Sequence, residues 1–97
     1  MHVGICIFRL HLPENGSLKD KRRILKSVTT QIRDRFGVSI AEVADHDLWQ
    51  VSTLGISCVS ASARQSMETM AKIRDFIDHS RFEIEIVDWE TDIVPFP

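Results

Sequence analysis

The chain has 97 residues, of which 43% are hydrophobic and 27% charged, and its net charge is −2. A chain of that size can bury roughly 60–68% of its surface on folding, enough for one core and not for two, and the composition is neither disordered nor fibrous. The charge is uneven: residues 19–35 carry seven basic side chains against two acidic ones, a local +5 in an otherwise acidic protein, so a polyanion can still be attracted.

Val3 to Leu12 reads as a strand. Its even positions Cys6, Phe8, Leu10 and Leu12 form one apolar face, while the odd positions begin as Val3, Ile5 and Ile7 and end as Arg9 and His11. The stretch Val3–Phe8 is too short for a signal peptide or a membrane span, and no basic region precedes it. Pro13-Glu14-Asn15-Gly16 breaks the chain into a loop. Ser17 then opens a helix, with Asp20 in the place where a capping box usually has glutamate. Leu18, Leu25, Val28, Ile32 and Phe36 recur at helical spacing, and Gly37 supplies the left-handed residue that commonly ends a helix.

Val38 to Ala44 reads as a short second strand, followed by the polar loop Asp45-His46-Asp47 and a third strand from Val51 to Ser60. In that third strand Leu54, Ile56 and Cys58 face the core. Ser62 and Gln65 form a second capping box, ahead of a helix whose apolar side is Met67, Met70, Ala71, Ile73, Phe76 and Ile77. The last strand is expected from Phe82 to Ile93, with a bulge near Ile86–Val87 where the apolar phase slips.

Six elements in the order β-α-β-β-α-β, joined by short right-handed connections, leave few packings. The commonest is the ferredoxin-like α+β fold: a four-stranded antiparallel sheet in the order 4-1-3-2, both helices on one face and the other face open. One domain spanning 1–97 is expected. Two cysteines, Cys6 and Cys58, are few for a small secreted domain and suit buried free thiols in a cytoplasmic protein.

Two stretches carry a family likeness. Ser17-Leu18-Lys19-Asp20-Lys21-Arg22-Arg23 resembles the S-L-K-x-K-R start of the first helix in the YlxP-like family. Phe36-Gly37-Val38-Ser39-Ile40-Ala41-Glu42-Val43, with Asp47-Leu48-Trp49-Gln50, resembles that family's second strand and hairpin. The resemblance runs along nearly the whole chain and implies a small bacterial protein of ferredoxin-like fold, from a family whose function is undefined. It also implies a gene neighbourhood of translation-initiation and ribosome-assembly factors. Ile7 departs from the pattern, since relatives often carry a charge there.

For function, the basic helix comes first. Lys19, Arg22, Arg23, Lys26 and Arg33 fall mostly off the apolar stripe, where they could neutralise RNA phosphates or simply form a solvated face. Lys21 and Arg35 are open between those roles and packing. Trp49 could stack on a base or plug the end of the core. Val3, Ile5, Ile7 and Val59 leave an aliphatic patch on the open sheet face, which suits a second copy, a dimer above all, or another protein.

Catalysis finds no support. The histidines are scattered, Asp45-His46-Asp47 lacks a second ligand cluster for a metal, and the glycines match no nucleotide fingerprint. The acidic last strand (Glu83, Glu85, Asp88, Glu90, Asp92) is explained by edge-strand alternation. The expectation is therefore no enzyme, no cofactor and no metal, no membrane and no small-molecule substrate. RNA or a ribosomal particle is the leading partner, and a homo-oligomeric interaction module is the alternative.

Overall fold

The computed structural model describes residues 1–13 and 15–97; Glu14 of the predicted loop lies outside them. The element order is β1 (His2–His11), α1 (Leu18–Phe36), β2 (Ser39–Ala44), β3 (Val51–Ser60), α2 (Ala63–Asp78) and β4 (Glu85–Pro95). All pairings are antiparallel and the sheet runs β2-β3-β1-β4, the expected order.

Alternation along β1 sets the layers. Cys6, Phe8 and Leu10 are at most 1% exposed, and Leu54 and Ile56 extend the same sheet face across β3. Leu25, Val28 and Ile32 of α1 and Met70, Ile73 and Ile77 of α2 close over that face as one core. The helices begin and end where local chemistry dictates. The Ser17 side chain accepts from the Asp20 amide, and Ser62 accepts from Gln65, so each N-terminus has one of its unpaired donors satisfied. Gly37 ends α1 at φ 63°, ψ 40°, and its amide donates to the Arg33 carbonyl.

The last strand starts later and ends later than its hydrophobic pattern suggests. Phe82 and Ile84 alternate as strand residues would, but β1 has no residue left to pair with them beyond His11, which lies opposite Glu85. They cap the end of the core instead, with the Ile84 amide turned back to the Phe82 carbonyl. Pro95 lies opposite His2 at the end of an edge strand, a place proline tolerates. The expected bulge is present: Arg9 pairs with Asp88 and Leu10 with Ile86, leaving Val87 as the extra residue. A second bulge, between Glu42 and Ala44 of β2, places Val43 over Gly55. The two cysteines are not equivalent: Cys6 is buried, whereas Cys58 is only half-buried, in contact distance of Gly4 and beside α2.

Candidate nucleic-acid interface

Successive helical residues advance about 100° around the axis, so Lys19, Arg22, Arg23, Lys26 and Arg33 lie within an arc of about 100°. All five are exposed. At about 1.5 Å per residue the ridge from Lys19 to Arg33 is about 21 Å long. Lys19, Arg22 and Lys26 take part in no ion pair among the described residues, and Arg23 has only a loose contact with Asp20 at 3.9 Å. Arg33 donates to the Ile40 carbonyl at 3.3 Å and keeps its charge. On α2, Arg64 is paired with Glu68 at 3.0 Å, while Arg74 stands 3.9 Å from Asp78, as loose a contact as that of Arg23, and Lys72 takes part in no ion pair among the described residues. With seven basic side chains against two acidic ones over residues 19–35, α1 carries the densest run of positive charge in the sequence.

Lys21 is not part of the ridge. It occupies the stripe position between Leu18 and Leu25 and is 1% exposed. Its ammonium meets the Glu42 carboxylate at 2.8 Å and donates to the carbonyls of Asp45 at 2.7 Å and Leu48 at 2.5 Å. All three ammonium hydrogens thus have an acceptor, as burial of a charge requires. The Glu42 carboxylate also accepts from Ser52 Oγ at 2.7 Å, and Asp45 accepts from Thr53 Oγ1 at 2.7 Å. The buried Asn15 side chain donates to the Trp49 carbonyl. These bonds tie the β2–β3 loop to the first turns of α1 and bring the two family-like stretches into one unit.

That loop turns its side chains outward. Leu48 is 53% exposed and Trp49 43%, so Trp49 does not plug the core as one of its two sequence readings had it. The tryptophan that packs against the core is Trp89 of β4, stacked on Phe8 with ring centroids 5.8 Å apart and capped by Arg74 at 5.3 Å. The loop backbone is held through its carbonyls, which leaves the indole free of the interior. Asp45-His46-Asp47 does not converge: His46 bonds the Glu42 carbonyl and Asp45 bonds Thr53. Among the described residues no group of three His, Cys, Asp or Glu side chains could hold a metal ion.

The open sheet face has different chemistry. Ile5 is 44% exposed and Val59 68%, while Val3 and Ile7 are half-buried. Opposite them on β4 stand Val94, Asp92 and Glu90. Arg9 meets Asp88 at 2.7 Å and Glu90 at 3.5 Å, and the Asp88 hydrogen bond holds the guanidinium above its usual pKa. An aliphatic strip beside a row of carboxylates repels a polyanion. Burial pushes the Cys6 thiol up to about 11, outside the range of reactive cysteines.

Comparison with known proteins agrees with this architecture. The chain is 41% identical over 76 residues to the uncharacterized protein YlxP of Bacillus subtilis (strain 168), covering 78% of this chain and 83% of that one. A de novo designed protein, Foldit4, shares the fold with a TM-score of 0.57 and 15% identity over the full length of both chains. An amidase of the hydantoinase/carbamoylase family from Burkholderia phymatum superposes on 95% of this chain and 28% of its own, with a TM-score of 0.52 and 15% identity. At such identities the two structures speak to the fold alone. Among the described residues no helix is long and apolar enough to cross a membrane. A family model matches residues 3–91, and the chain belongs to that family, described as a protein of unknown function (DUF503).

Proposed function

We propose that the protein is a non-catalytic RNA-binding protein of the cytoplasm, contacting RNA or a ribosomal particle through the exposed ridge of α1. The observation that carries this reading is the exposed line of Lys19, Arg22, Arg23, Lys26 and Arg33, in which Arg23 alone has an ion-pair contact among the described residues, a loose one with Asp20 at 3.9 Å. A helix edge about 21 Å long reaches several successive phosphates. Trp49 and Leu48, exposed on the loop clasped to the start of that helix, add a surface on which an unpaired base can stack. Co-sedimentation with ribosomal subunits at low and moderate salt tests the reading. Binding should weaken with salt and be lost in Arg22→Glu/Arg23→Glu, whose circular dichroism stays that of the parent. A variant that binds as well as the parent would overturn it.

A second reading rests on the sheet face. Val3 lies opposite Val59 on one side and Val94 on the other, so an apolar row crosses three strands beside exposed Ile5. A second copy covering that row would form a dimer that displays two α1 ridges. Ile5→Asp should then yield a soluble monomer; an unchanged mass in solution would dismiss the interface.

A further inference from the structure

A groove of about 1090 Å³ lies between the C-terminal halves of α1 and α2 and opens to solvent, on the far side of α1 from the basic ridge. Half-buried Phe36, Phe76 and Phe82 line it. The Phe36 and Phe76 rings meet edge to face with centroids 5.9 Å apart. Arg35 places its guanidinium carbon 5.7 Å and 5.6 Å from those two centroids, and Arg81 lies 5.3 Å from that of Phe82. Lys72 adds a third cation to the lining.

These cations are held without being neutralised. A guanidinium over an aromatic ring is positioned by the ring's quadrupole while its N–H edge stays available to an anion. Arg35, Lys72 and Arg81 take part in no ion pair among the described residues, and Asp75 is the one carboxylate on the lining. With His79 neutral the lining carries +2. A phosphate monoester carries about −1.5 to −2 at pH 7, which matches that charge better than a carboxylate does. An aromatic body on the same ligand would take the phenylalanine surface.

We propose that this groove binds an aromatic phosphate monoester of the nucleoside monophosphate class, its phosphate on Arg35, Arg81 and Lys72 and its base against the phenylalanines. The site shares no cation with the α1 ridge, so it stands whether or not the ridge binds RNA. The same chemistry has two sources, a free nucleotide and the phosphorylated 5′ end of an RNA chain.

Titration of the ¹⁵N-labelled full chain with adenosine 5′-monophosphate, followed by NMR, tests it, with adenosine and inorganic phosphate as separate probes. The expected result is amide shifts centred on Arg35, Lys72, Phe76 and Arg81, with the monophosphate binding at least about tenfold tighter than either fragment. Arg35→Ala/Arg81→Ala should weaken it by at least about tenfold, and the spectrum itself reports that the variant is folded. Lys72→Glu, on the other helix, should do the same should the double variant misfold. An oligonucleotide that displaces the monophosphate only when 5′-phosphorylated would name the RNA end as the ligand; displacement by neither form would name the free nucleotide. Shifts confined to the ridge, equal binding of inorganic phosphate, or undiminished binding by the variants would overturn the proposal.

Discussion

Replacing Lys21 by methionine keeps the length of the side chain and removes the ammonium. In the parent that ammonium holds the Glu42 carboxylate at 2.8 Å and the Asp45 and Leu48 carbonyls at 2.7 and 2.5 Å, while Lys21 itself is 1% exposed. The variant leaves a carboxylate whose side chain is 18% exposed with Ser52 as its remaining partner, and takes the lysine donor from two carbonyls, of which that of Asp45 keeps the Leu48 amide. Removing one member of a buried ion pair costs about 3–5 kcal/mol, because the other charge stays desolvated. A domain of this size has about 5–15 kcal/mol of stability in total. At about 4–8 °C per kcal/mol, the midpoint should fall by about 12–40 °C. Urea unfolding of Lys21→Met, Glu42→Gln and the double variant measures the loss, and their cycle isolates the pair. The double variant should be more stable than the sum of the single losses implies, by about 1 kcal/mol or more. A loss below about 1 kcal/mol in Lys21→Met, or additive single losses, would refute the clasp.

Two further outcomes follow from packing and burial. A Cβ on Gly4 would lie 3.0 Å from Cys58 Sγ, 3.1 Å from Ser66 Cβ and 3.3 Å from Met70 Cε, so Gly4→Ala should lose about 1–3 kcal/mol in denaturant titrations by forcing α2 off the sheet. A Gly4→Ala protein as stable as the parent would mean that α2 shifts freely. The Cys6 thiol sits at about 11 against an ordinary 9.0 because burial disfavours the thiolate. Between those pH values the unfolded chain has lost a proton that the folded one keeps, so stability falls as pH rises, by about 2–3 kcal/mol in all. Cys6→Ala should show a correspondingly shallower decline from pH 9 to 11 in thermal melts, and equal slopes would contradict the assignment.

Much of this fold is written in local periodicity. The even positions of β1, the helical spacing of Leu25, Val28 and Ile32, and the caps Ser17 and Gly37 each act through neighbours a few residues away. The ends of β4 are different. Phe82, Ile84 and Ile86 alternate as a strand does, but pairing depends on where β1 stops, at His11, 74 residues before its partner Glu85, and a pattern within one segment carries no such information. Lys21 was half legible. Its place between Leu18 and Leu25 puts it on the buried stripe, but two of its three acceptors are backbone carbonyls, which leave no mark in a sequence. Trp49 had two readings because an indole beside a hairpin can turn either way; the clasp on the loop backbone decides it. The groove between the helices was hidden because Arg35 of α1 meets Phe76 of α2, a contact between elements far apart in the chain.

The ridge itself is most directly tested by the salt dependence of RNA affinity. Fluorescence anisotropy of a labelled single-stranded RNA, titrated with the protein across a series of salt concentrations, gives the slope of log K against log salt. Each phosphate contact on a single strand contributes about −0.7 to that slope, so four or five ridge contacts predict about −3. Arg22→Ala/Arg23→Ala should reduce its magnitude by about 1.4, while Lys21→Met, at a temperature where it is folded, should leave it unchanged. A slope near zero, or one that the Arg22/Arg23 substitutions do not alter, would contradict phosphate binding by α1.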